Sequence, residues 1–148
     1  SKSKQLRIGF DADAVIFSDE SEITFKKKGL KTYLKEEGRS TKPIAPGPFN
    51  GFLKKLNIIQ SKYPVDTCPI RIALVTARAA PAHKRVINTL RKENIRIDET
   101  FFLGGLSKGK FLKGFSADIF FDDLTENCIE ATSHVSTGHV PYGINNPK

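Results

Sequence analysis

Apolar residues fall into two kinds of stretch along this chain, and their alternation sets the expected architecture. Residues 6–10, 70–75, 100–103 and 118–121 are short runs rich in Ile, Val, Leu and Phe, each bounded by polar residues or glycine. Nearly continuous apolar runs of that length suit strands buried on both faces of a parallel sheet. Between them the apolar positions recur at helical spacing. Residues 48–61 (PFNGFLKKLNIIQS) put Phe49, Phe52, Leu53, Leu56 and Ile59 on one stripe, and residues 81–93 do the same with Val86, Ile87 and Leu90. Pro81 suits the first turn of that second helix. Residues 108–115 and 125–133 predict two shorter helices, and residues 138–141 a last strand.

Strands alternating with helices predict an α/β fold, a parallel sheet with helices on both faces. The stretch from 18 to 48 does not fit a simple connection. It is polar and basic, with one helix-like segment over residues 25–37. It is expected to be an insertion folded over one edge of the sheet, a small cap within a single domain spanning 1–148.

Length and charge narrow the class. A chain of 148 residues can bury one core of ordinary size, and 39% hydrophobic against 27% charged residues is the balance of a soluble globular protein. No apolar run approaches the ~20 residues needed to span a bilayer, so no membrane partner is expected. The polar start, SKSKQLR, lacks the apolar core of a secretory signal. Cys68 and Cys128 lie far apart without zinc-site spacing, and both are expected to be reduced thiols. These features together predict a cytoplasmic protein. The net charge of +8 favours anionic partners. Much of it lies in Lys26, Lys27, Lys28, Lys31 and Lys35, expected to form a solvated helix face, with phosphate steering as the other reading. Phe25 and Tyr33 are few aromatics for a nucleic-acid surface, and no recognised module surrounds them, so nucleic acid is not an expected partner.

The chemistry follows the strands. The first run ends in Asp11-Ala12-Asp13, the second in Thr76-Ala77-Arg78, the third in Gly104-Gly105 with Lys108 soon after, and the fourth in Asp122-Asp123. The carboxyl ends of parallel strands share one edge of the sheet, where ligands bind, so these residues are expected to converge. Asp11, Asp122 and Asp123 brought together repel one another, and a hard divalent cation resolves the conflict. Mg²⁺ is the expected cofactor. Carboxylates with one Lys and one Thr are the equipment of phosphoryl transfer. An ionised Asp11 needs no base to attack phosphorus, and Asp13 is near enough to protonate the leaving group and later activate water. Thr76 reads alternatively as a helix N-cap, and Arg78 as a phosphate contact or a structural ion pair. Phe17, Ser18, Asp19 and Glu22 are expected to border the substrate or, for Phe17, to pack in the core. His83 is expected at the surface, and His134 and His139 lack ligand spacing.

This set, DxD, a strand ending in Thr, a Lys before a helix and a strand ending in DD, resembles the four motifs of the haloacid-dehalogenase superfamily. The resemblance implies a three-layer Rossmann-like fold, with Asp11 as the nucleophile that forms an aspartyl-phosphate and Asp13 as general acid/base. The Asp13 backbone carbonyl would be a metal ligand. It implies further that Thr76 binds phosphoryl oxygens, that Lys108 stabilises charge with Lys110 as its rival, and that Asp122 ligates Mg²⁺ with Asp123 assisting. Ala77, Arg78, Phe17 and Ser18 are candidate substrate contacts.

The blocks FDADAVIFSDESE, PIRIALVTARAAPAHKRVINTLR, IRIDETFFLGGLSKGKFL, ADIFFDD and HVPYG resemble, in order and over residues 7–143, the cytosolic 5′-nucleotidase I family with its bacterial members. That family implies Mg²⁺-dependent hydrolysis of nucleoside 5′-monophosphates. The alternatives are a phosphatase or phosphotransferase for another small phosphomonoester, and a non-catalytic nucleotide- or protein-binding module. Ala12 departs from the glycine usual between the two aspartates, and its methyl is expected to tighten or reshape the loop around the phosphate.

Overall fold

Five strands, β1 (Leu6–Phe10), β2 (Ile70–Thr76), β3 (Glu99–Phe102), β4 (Ile119–Asp122) and β5 (Ser136–His139), pair in parallel in the order β3-β2-β1-β4-β5. The computed structural model describes residues 4–146, so the first three residues of the polar SKSKQLR stretch lie outside the described residues. Helices α2 (Asn50–Gln60), α3 (His83–Lys92), α4 (Lys108–Phe115) and α5 (Thr125–Ala131) connect the strands. The fold is the α/β parallel sheet that the alternating pattern predicts. Among the described residues no helix is long and apolar enough to cross a membrane.

Strand alternation divides the core into two layers. Ile8, Phe10, Ile72 and Leu74 face Leu53 and Leu56 of α2 and Val86 and Leu90 of α3. Ala73, Val75 and Phe120 face Leu112 and Phe115 of α4 and Ala131 of α5. Gly9 points to the second layer, where a Cβ would come within 2.9 Å of the Leu112 side chain and 3.2 Å of Phe120. The missing side chain lets α4 seat directly on the central strand.

Two parts of the helical stripes differ from expectation. Phe52 and Ile59 are 44% and 46% exposed, because α2 touches the sheet through Leu53 and Leu56 on one narrow side. Pro81 lies in the turn ahead of α3, which starts at His83.

The insertion is a helical hairpin. Helix α1 (Glu20–Arg39) is broken at Gly29, whose backbone is left-handed and then extended (φ 80°, ψ 173°). Residues eight apart on a straight helix are separated by about 12 Å. Here the Phe25 and Tyr33 rings are 5.6 Å apart, and Lys28 Nζ is 3.0 Å from Glu36. The chain therefore doubles back, and a non-glycine residue at 29 would be strained. The expected single segment over 25–37 is two arms instead. At the base the insertion leaves and re-enters at one point. Ser18 N–H donates to the Ala45 carbonyl and Gly47 N–H to that of Ile16, both at 2.8 Å.

Gly9→Val should lower the unfolding free energy by about 1–3 kcal/mol through overpacking between β1 and α4. Urea denaturation measures this, and an unchanged midpoint would show that α4 can move away freely.

Candidate active site

The chain runs β1, β2, β3 toward one edge of the sheet and then returns for β4 and β5 on the other side. The switch point lies between β1 and β4, the place where open parallel sheets bind ligands. Register does the rest. Phe10 pairs with Phe121, so Asp11 and Asp122 emerge side by side. Asp11, Asp122 and Asp123 are all buried, with one carboxylate oxygen from each inside 4.8 Å of the others.

Lys108 joins two of them. Its Nζ is 2.9 Å from Asp11 Oδ1 and 2.8 Å from Asp122 Oδ2. Lys110 is exposed, so the rivalry between the two lysines resolves in favour of Lys108. Asp11 Oδ1 also accepts from Ala12 N–H at 2.8 Å, which leaves Oδ2 outside these two contacts. Asp122 accepts in addition from Leu124 N–H and Asn127 Nδ2. Asp123 differs, since both its oxygens are buried with no donor in reach among the described residues. The two aspartates differ in what already holds them. Asp122 is occupied with Lys108, and Asp123 holds the uncommitted oxygens.

One lysine does not balance three carboxylates. Burial, and after it the Asp122 charge, raises the Asp11 carboxyl well above the usual range, with Lys108 opposing. Burial and the Glu22 charge push Asp123 up to about 7, with the closeness of the Asp11 carboxyl acting the other way. Glu22, at the foot of the hairpin, is raised from 4.5 to about 8 by burial and by Asp13 and Asp11. Burial alone would lower the Lys108 ammonium, but Asp11 and Asp122 outweigh it and raise it. A cluster this short of positive charge, with an unpartnered buried carboxylate, suits a hard cation that prefers oxygen ligands.

Asp13 is turned toward a different partner. Arg78 Nε donates to its Oδ2 at 2.8 Å and Nη2 to its Oδ1 at 2.7 Å. Arg78 is 3% exposed, and it also donates to Glu37, Ser21 and the Ala82 carbonyl. Its Tyr33 neighbour lies beneath the guanidinium, 5.9 Å from ring centroid to Cζ. The structural ion pair, one of the two readings of Arg78, is what forms, and no donor remains for a phosphate. Thr76 is 1% exposed at the end of β2, and its hydroxyl oxygen accepts from Arg78 N–H at 3.1 Å. It does not cap α3, which is preceded by Ala82.

Asp11, Asp13, Thr76, Arg78 and Lys108 line a cleft of about 690 Å³. Ala77, Gly104 and Gly105 form its rim, and Phe25, Leu30, Tyr33 and Leu34 of the hairpin form an apolar wall with Lys26 beside it. Phe17 and Ser18 are absent from the lining. Phe17 is fully buried in the core, and Ser18 donates to Glu20. Ala12 is also fully buried, and its methyl packs into the hydrophobic core rather than crowding the loop. Both cysteines are free and buried.

A family model described as 5′-nucleotidase matches residues 1–147. The chain belongs to the 5′-nucleotidase family. It is 46% identical over 125 residues to human (Homo sapiens) cytosolic 5′-nucleotidase 1B, a match covering 80% of this chain and 20% of that protein. The chain thus corresponds to about a fifth of the length of that curated relative. No solved structure matches it.

Several residues around the family motifs escape sequence reasoning. Glu37 and Ser21 reach Arg78 from the hairpin, and Asn145 Nδ2 donates to Glu22 at 2.9 Å. His139 Nε2 and Asn146 Nδ2 both lie 2.9 Å from the Asp123 carbonyl, where they brace the DD loop. Nothing in their local spacing marks them. His83 stacks edge-on against Phe102, and His134 sits 3.5 Å from Glu130.

Carboxyls with folded pKa values raised above their unfolded ones contribute stability that is present at low pH and lost as pH rises through the folded values. With EDTA, the melting temperature should therefore fall between pH 5 and 8, as Asp123 and Glu22 ionise at about 7 and about 8. Glu22→Gln should flatten the upper part of that fall. A melting temperature that rises over this range would contradict the electrostatics described here.

Proposed function

We propose that this chain hydrolyses nucleoside 5′-monophosphates to nucleoside and phosphate, through an aspartyl-phosphate on Asp11 and with Mg²⁺ as cofactor. The observation that carries the proposal is the buried cluster of Asp11, Asp122, Asp123 and Lys108, of which Asp11 and Lys108 line a cleft walled by apolar hairpin residues. Family membership and the name of the human relative support the substrate class.

The donor set fits the metal. Asp11 and Asp123 would hold Mg²⁺ together with the backbone carbonyl of Asp13, while Asp122 stays tied to Lys108. Bound there, the ion would offset the negative charge of the carboxylates and of the phosphoryl oxygens.

Asp11 attacks phosphorus with the oxygen not held by Lys108 and Ala12. The bond from phosphorus to the ester oxygen breaks, and Asp13 supplies the proton that the departing nucleoside 5′-oxygen takes up. Lys108 lies beside the attacking carboxylate, where it offsets charge on the phosphoryl group. The Thr76 oxygen is occupied as an acceptor by Arg78 N–H, which leaves its O–H to donate to a phosphoryl oxygen. In the second half Asp13 takes a proton from water, the hydroxide cleaves the aspartyl-phosphate, and phosphate leaves with Asp11 and Asp13 restored. The hairpin wall of Phe25, Leu30, Tyr33 and Leu34 offers the nucleoside an apolar face and shields the acyl-phosphate from bulk water.

The test is phosphate release from a panel of nucleoside monophosphates and unrelated phosphomonoesters, with Mg²⁺ or EDTA. Release should require Mg²⁺, and Asp11→Asn should lower it by at least about 10³-fold while substrate binding survives. Release from unrelated esters alone would remove the nucleotide and keep the mechanism. No release at all would leave a binding module on this fold.

A further inference from the structure

Arg78 has five N–H donors, and each is committed inside the protein. Nε and one Nη2 hydrogen hold the two Asp13 oxygens, and the other Nη2 hydrogen goes to Ser21 Oγ at 2.7 Å. Nη1 donates to Glu37 Oε2 and to the Ala82 carbonyl, both at 3.0 Å. The partners come from the loop after β1, from both arms of the hairpin and from the turn before α3. Glu37 is 3% exposed, and its other oxygen accepts from Arg85 Nη1 at 2.8 Å. Arg85 donates onward to the Lys42 carbonyl at 2.9 Å and to Glu20 at 3.4 Å. Both feet of the hairpin are thereby clamped to the two arginines.

We propose that Glu37 is a positioning residue for the reaction, acting through Arg78 to set where the Asp13 carboxylate sits. The seating of the hairpin and the placement of the acid are then one event. The inference rests on the reading of Asp13 as proton donor to the leaving group. A guanidinium is a rigid planar fork, so displacing one partner tilts the plane for the others. Asp13 is gripped on the Nε–Nη2 edge, and Glu37 anchors the remaining corner. Glu37 does not line the cleft and touches neither Lys108 nor the carboxylate cluster, so its route to the chemistry runs through Arg78.

A clamp that merely held the hairpin down would, when weakened, raise the nucleotide concentration needed for saturation, since the hairpin wall meets the nucleoside, without slowing ester cleavage at saturation. A misplaced acid slows cleavage of the ester bond only where the leaving group needs a proton, whereas hydrolysis of the aspartyl-phosphate is common to every ester. The alkoxide of a nucleoside needs one, and p-nitrophenolate does not. Rapid-mixing measurement of leaving-group release in the first turnover of the full chain, with Mg²⁺ and saturating ester, on the best nucleoside monophosphate and on p-nitrophenyl phosphate separates the two. Glu37→Gln should lower that first-turnover rate on the nucleotide by about 10- to 100-fold, with half-saturation within about twofold and the loss on p-nitrophenyl phosphate under about threefold. Glu37→Asp, which keeps the charge at shorter reach, should recover part of the nucleotide loss. Equal losses on both esters, or no loss on either in a folded variant, would overturn the proposal. If Glu37→Gln shows no cooperative thermal transition, Ser21→Ala, which deletes one bond to the same guanidinium, decides by the same ratio. A wild-type chain that turns over neither ester removes the functional reading and this inference with it, whereas an active wild type with equal losses in the variants removes the inference alone.

Discussion

Three carboxylates buried around a single lysine form the constraint on which the rest of this structure turns. Burial and mutual repulsion raise Asp11 and Asp123, and Lys108 offsets only part of the deficit. Such a cluster persists because the sheet leaves it no alternative. β1 and β4 are neighbours in fixed register, each is packed on both faces, and their ends deliver the aspartates to one point. The stability given up there is supplied by the core beneath it, which is where functional sites in general are supported. The Mg²⁺ proposed above would supply the missing charge in that arrangement, and phosphate is the ligand it would share.

A second electrostatic centre lies beside the first and does a different job. Arg78, Arg85, Asp13, Glu37 and Glu20 form a nearly buried chain of ion pairs whose charges almost cancel. Removing one partner from a buried pair costs about 3–5 kcal/mol because it strands the other charge. Such networks hold geometry more than they add net stability. Here the geometry held is the relation between an inserted hairpin and Asp13, the proposed acid. The basic residues at the hairpin tip are exposed, as a solvated face should be, with Lys26 alone of the five reaching the cleft.

The two centres divide the site by chemistry. On the side of β4 lie unpaired oxygens suited to a cation, and on the side of the hairpin lie paired carboxylates and apolar walls suited to an organic group. Asp11 stands between them. The C-terminal segment ties the halves together, since Asn145 meets Glu22 of the hairpin and Asn146 meets the Asp123 carbonyl.

Outside the hairpin, strand and helix positions were legible in the sequence to within a residue or two, because apolar periodicity is a local property set by the neighbours each side chain must meet. The residues at the strand ends were legible for the same reason: a run such as RIGF or DIFF followed by aspartates marks its own carboxyl edge. Whatever depended on pairing between distant segments was not. Arg78 and Asp13 are 65 positions apart, and Arg78 and Glu37 are 41 apart. An arginine in a cleft motif reads equally as phosphate ligand or ion pair until its partners are in place. The choice of Lys108 over Lys110 depended on which face of α4 meets the sheet. Which of Asp122 and Asp123 is paired depended on which carboxylate the lysine reached, and the hairpin depended on Gly29 adopting a backbone that spacing does not announce. Residue types and periods determined the elements and the chemistry available, and packing decided which groups are spent holding the site and which remain free to act.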